Sequence, residues 1–168
     1  MMEIRTLISK EDFTQYRHIS KNIDAKQRLE PYMLEAQRFD IVPFLGSDII
    51  TEILDQLETG TGNTNTLTTL NETLLELIKP VCVFFSYARM LANQPVQVTR
   101  YGVVTKNDDN SEPVSEKTLA RLINQANNIA EAYKIDLLAY LKDNAYDYPL
   151  YKPCEARKKR MQIKAIGD

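Results

Sequence analysis

Wound into a helix of about 3.6 residues per turn, the stretch from Leu67 to about Asn93 shows apolar side chains on nearly every side. Leu74, Leu75, Leu77, Ile78, Val81, Cys82, Val83, Phe84, Phe85, Ala88, Met90 and Leu91 leave it no broad polar face. Such a helix cannot lie at a surface. The rest of the chain has to wrap around it, so the sequence specifies a helical packing about one central, buried element. Pro80 lies in the middle of this helix, lacking an amide donor and crowding the Glu76 carbonyl. A bend is expected there as a feature of packing.

Three further stretches can supply the wrapping. From Asp24 to Phe39, the residues Leu29, Tyr32, Met33, Ala36 and Phe39 recur at three- and four-residue steps, with Pro31 marking a first turn or kink. Pro43 and Gly46 then break the chain, and Ser47 is the natural N-cap of a helix carrying Ile49, Ile50, Ile53, Leu54 and Leu57. The clearest amphipathic helix follows Ser115, with Leu119, Leu122, Ile123, Ala126, Ile129, Ala130, Tyr133, Leu137 and Leu141 on one stripe. GTGNTNT at 60–66 and NDDNSEP at 107–113 read as loops.

One segment departs from helical spacing. PVQVTRYGVVTK, residues 95–106, is rich in β-branched residues and alternates at Val96, Val98 and Arg100, which predicts an extended piece or hairpin turning at Tyr101 and Gly102. After Asn144 the chain carries two prolines, spaced tyrosines and a basic cluster, with little means of building a core. The expected fold is therefore mainly α: a four-helix bundle-like domain with one short extended segment or β-hairpin and an extended C-terminal tail. The parts are an N-terminal segment 1–23, a helical domain 24–144 containing the extended segment 95–106, and a tail 145–168. A two-stranded ribbon alone is marginal in water, so a second subunit is its natural partner.

Composition narrows the function. The content of 43% hydrophobic and 26% charged residues fits one globular domain rather than a disordered chain. The longest strongly apolar run, Val81 to Phe85, is far short of a bilayer span, so no membrane role is expected. The N-terminus lacks the features of a signal peptide, which predicts synthesis in the cytoplasm. Cys82 and Cys154 with the single histidine, His18, cannot complete a structural zinc site. No phosphate-cradling glycine loop or nucleophile motif occurs. Asp108, Asp109, Asn110 and Glu112 do not follow EF-hand spacing and read as a solvated turn. The chain is thus expected to be non-enzymatic and to need no cofactor or metal. Its net charge of -2 divides unevenly, as +3 over residues 155–168 and -5 over the remainder.

The stretches EAQRFDIVPFLGSDIITEIL, IKPVCVFFSYARML and VQVTRYGVVTKNDDNSEPVSEKTL, in that order, resemble the small helical head-tail connector (adaptor or ring) proteins of tailed bacteriophages, crAss-like type, over roughly residues 24–150. The resemblance implies a homo-oligomeric ring, commonly a dodecamer, at the virion neck. Such a ring contacts the portal protein and further neck or tail proteins, and DNA passes through its lumen without sequence-specific binding. Carried onto this chain, Val96, Val98, Thr99, Arg100, Tyr101, Gly102, Val103 and Val104 become the intersubunit segment. Tyr148, Tyr151, Arg157, Lys158, Lys159 and Arg160 become the contact with portal or another partner. An acidic body around the lumen would let DNA slide past, because like charge weakens phosphate attraction. The alternative reading is a helical nucleic-acid-binding or regulatory protein that uses the basic tail.

Overall fold

The computed structural model describes residues 5–20, 22–58, 67–93, 96–99, 102–105 and 115–151, with residue 58 and both strands described by backbone alone. The fold is mainly α. The central helix expected from its all-round apolarity is α6, Thr69–Asn93, and thirteen of its residues are buried. It runs unbroken through Pro80, which is itself buried. The amphipathic stripe near the C-terminus forms α7, Glu116–Asp143, whose N-cap Ser115 accepts from the Thr118 amide as its sequence predicts. Ala126, Ala130, Leu137 and Leu141 are the residues of α7 that face the core fully.

The N-terminal segment does not stand apart from this body. Helix α1, Lys10–Tyr16, is closed by a reciprocal capping box between Ser9 and Asp12. Leu7, Ile8, Phe13 and Ile19 all belong to the same buried cluster as α6. Phe13 meets Tyr87 edge to face at 6.3 Å. Lys79 of α6 pairs with Asp12 at 2.9 Å. Packing therefore crosses the expected boundary at residue 23.

The stretch expected as one helix from Asp24 to Phe39 is divided. Asp24 caps a single turn, α2, Ala25–Arg28. Pro31 occupies the first turn of α3, Glu30–Ala36, as expected of proline. The chain then continues through a π turn, Gln37–Ile41, into α4, Val42–Leu45. Pro43, expected to break the chain, sits in the first turn of α4 instead. It has no N–H to give the Phe39 carbonyl, and the wider turn upstream, closed by the Val42 amide donating to the Gln37 carbonyl, absorbs that missing bond. The break comes at Gly46, whose φ of 92° favours glycine. Helix α5, Ser47–Glu58, starts on Ser47 itself, so Ser47 is its first residue and not its cap.

The π turn decides which side chains reach the core. Met33 and Ala36 are buried, and a regular helix would next turn residue 40 inward. The extra residue shifts the phase, so the next buried residues are Ile41 and Leu45, while Phe39 is 60% exposed. Phe39 had been expected on the core face with Ala36, and the π turn is what moves it out. Asp40 is turned toward α6, where its carboxylate takes Arg89 Nε at 3.0 Å and Nη2 at 2.8 Å. Near the other end of α6, buried Asn71 donates to Glu52 at 2.9 Å and to Gln56 at 3.1 Å, tying α5 to the bundle.

Candidate assembly interface

The extended segment forms a hairpin. Strands β1, Val96–Thr99, and β2, Gly102–Thr105, pair antiparallel with Val98 opposite Val103 and Thr99 opposite Gly102. That register puts Gly102, expected in the turn, in the ladder opposite Thr99. Arg100 and Tyr101 themselves lie outside the described residues. Since residues alternate between faces along a strand, Val96, Val98, Val103 and Thr105 share one face of the ribbon and Gln97, Thr99, Gly102 and Val104 the other.

The hairpin stands at the shared end of the two longest helices. β1 begins three residues after α6 ends, and α7 follows β2. Among the described residues the sheet has two strands only, so the outer edge of each strand has no ladder partner. In the first turns of α7, Leu119, Leu122 and Ile123 are half-buried, whereas Ala126, Ala130, Leu137 and Leu141 of the same stripe are buried further along. A strand edge without a ladder partner is a template on which another chain can pair.

The tail residues divide differently from the expectation. Tyr148, expected to be free for a partner, is 3% exposed and part of the core. Its ring meets Tyr140 edge to face at 6.0 Å, and its hydroxyl donates to the Leu70 carbonyl at 2.8 Å. Because that bond uses its one proton, the Tyr140 hydroxyl, 3.1 Å away, must donate to it. Burial, then the Tyr140 bond, hold the Tyr148 phenol well above its ordinary range. Tyr151 is half-buried and also packs on the core. The residues Arg157, Lys158, Lys159 and Arg160 lie outside the described residues.

Cys82 is fully buried, and burial pushes its thiol up to about 12, far from the thiolate that a nucleophile or metal ligand needs. Cys154 lies outside the described residues. His18 is exposed on the rim of a groove of about 610 Å³ between residues 18–28 and the 87–91 turn of α6. Beside it the Arg17 guanidinium lies over the Phe84 ring at 4.6 Å and the Tyr87 ring at 5.2 Å. Among the described residues no cluster of three metal-ligating side chains occurs, and no helix is long and apolar enough to cross a membrane.

Sequence reasoning missed the exposure of Phe39 at 60%, Tyr133 at 39% and Leu57 at 38%, all of which it put on apolar stripes. Only the proline at 43 hinted at the first, by removing a helix donor. Comparison with known proteins gives a family and no more. Residues 41–161 match the model of DUF6712, a family of unknown function, and the chain belongs to it. No curated protein and no solved structure matches the chain.

Proposed function

We propose that this chain is a non-catalytic structural subunit that assembles with copies of itself into a ring at the neck of a tailed-phage virion, connecting portal to tail around the DNA channel. The observation that carries the reading is the two-stranded hairpin between α6 and α7, whose outer edges have no ladder partner among the described residues. Strand addition between neighbours would complete its ladder and cover the half-buried start of α7. The resemblance of the chain to phage connectors supplies the setting: portal and other neck proteins as neighbours, and DNA in the lumen bound without sequence preference.

Mass photometry of the purified full chain tests the assembly, and reconstruction of particles tests its place. Val98→Pro and Val103→Pro remove a ladder donor or distort a strand. They are expected to shift the protein from ring to monomer while leaving its helical circular dichroism intact. Rings of normal size from both variants would sink the hairpin as the joint. A helical nucleic-acid-binding or regulatory protein is the competing reading, resting on the basic tail. It predicts DNA affinity whose salt dependence drops when residues 155–168 are deleted.

A further inference from the structure

Phe39 is an exposed aromatic ring that the fold takes trouble to expose. The helix from α3 to α4 could keep regular spacing and turn residue 40 toward the core. Instead the π turn holds Phe39 outward at 60% exposure, and Arg89 covers one side of the ring, its Cζ 5.8 Å from the centroid. Arg89 is fixed by the two-pronged pair with Asp40 and lies 3.9 Å from Glu35. The ring is therefore a rigid knob, flanked by one acid, Glu35, and one exposed base, Arg38. Aromatic residues, phenylalanine among them, and arginine are enriched at protein interfaces.

The groove between residues 18–28 and the 87–91 turn of α6 is the matching concavity. Met90 is buried beneath it, and Ile23, Tyr87 and Leu91 form half-buried apolar walls. Its rim carries one acid and one base, Asp24 and Arg28, both exposed. Knob and groove lie at one level of α6 and on opposite sides of it. Arg89, which holds the knob, is two residues from Tyr87, or roughly 200° around a helix, whereas Tyr87 and Leu91 share a side. A projection on one side and a receptor on the other cannot meet within a chain, and between copies they make a head-to-tail contact that closes into a ring when the rotation permits.

We infer that Phe39 of one copy seats in the groove walled by Ile23, Tyr87 and Leu91 of the next, with Arg38 facing Asp24 and Glu35 facing Arg28 across the contact. This deepens the ring reading and rests on it. The groove lies toward the C-terminal end of α6, and β1 starts five residues after Leu91.

The test uses the full chain and mass photometry across a dilution series. Phe39→Ala removes a largely exposed ring and is expected to keep the circular dichroism and melting of the wild-type monomer. It should weaken assembly by roughly thirtyfold, the scale of an aromatic hot spot. Arg28→Glu and Glu35→Lys should each weaken it by roughly tenfold, and the double variant should recover to within about threefold of wild type. Rings from the wild type that are indifferent to Phe39→Ala, or a double variant no better than the singles, would overturn this contact and leave the ring reading standing. A wild-type chain that stays monomeric would overturn both. Normal rings from Phe39→Ala together with lost binding of the portal protein would assign the knob to a foreign partner and refute the contact between copies.

Discussion

Tyr148 is the most direct test of where the folded body ends. Tyr148→Phe keeps the ring and removes the hydroxyl that donates to the Leu70 carbonyl and accepts from Tyr140. The carbonyl loses its side-chain donor and the Tyr140 hydroxyl loses its acceptor, so the loss should be about 1–2 kcal/mol. Tyr148→Ala also removes a ring that is 3% exposed. Truncation of a buried aromatic side chain costs about 3–5 kcal/mol. A chain of this size loses about 2–4 °C of melting temperature per kcal/mol, so the phenylalanine variant should melt about 2–8 °C lower and the alanine variant about 6–20 °C lower. Melts followed by circular dichroism at one fixed protomer concentration make the two variants comparable with the wild type. If Tyr148→Ala melts with the wild type, the tyrosine is not a core residue and the boundary at residue 144 is restored. Adding Tyr140→Phe gives a second check. The double variant should cost less than the sum of the singles, because the two hydroxyls share one bond.

Two further outcomes follow from groups held by the bundle. Burial raises the Asp12 carboxyl, but the Ser9 amide and the Lys79 ammonium outweigh it and hold it below its ordinary 3.8. A depressed carboxyl contributes stability that is present above its unfolded value and is lost as pH falls through the folded one. Between about pH 5 and about pH 2 the wild type should therefore lose more stability in urea titrations than Asp12→Asn; equal losses would remove the capping box as an acid-sensitive element. Cys82 gives the second. In a Cys154→Ser background, a thiol reagent should leave the native protein unlabelled and take one equivalent per chain in denaturant, and rapid native labelling would contradict its burial.

What the sequence discloses about this fold follows from how local each determinant is. The α6 and α7 helices are legible because periodicity over many turns leaves no other structure able to bury Leu74, Ile78, Leu137 and Leu141. The hairpin is legible from its β-branched alternation, though Gly102, expected in the turn, belongs to β2. Helix α1 had a local signal, Ser9 three residues before Asp12, that its charged surroundings obscured. Tyr148 was read as tail because Pro149 and Pro153 and the basic run behind them dominate that stretch. Its burial depends on Leu70, 78 residues away, and no window of sequence contains both. The π turn is illegible for a related reason. A single extra residue changes the phase of the faces without changing composition, and only the match between Asp40 and Arg89 reveals it. The exposure of Phe39 and the groove beside Tyr87 depend on packing between elements distant in sequence, and no local pattern announces them.

That one-residue phase shift has a genetic reading. A chain lacking the Phe39 codon could wind as an uninterrupted α-helix, with Ala36, Ile41 and Leu45 returning to ordinary spacing and the aromatic ring gone from the surface. Single in-frame deletions in helices usually scramble every contact downstream. Here the deletion removes the offset instead of creating one, so the subunit's fold and its outward-facing ring can be gained or lost separately in one mutational step.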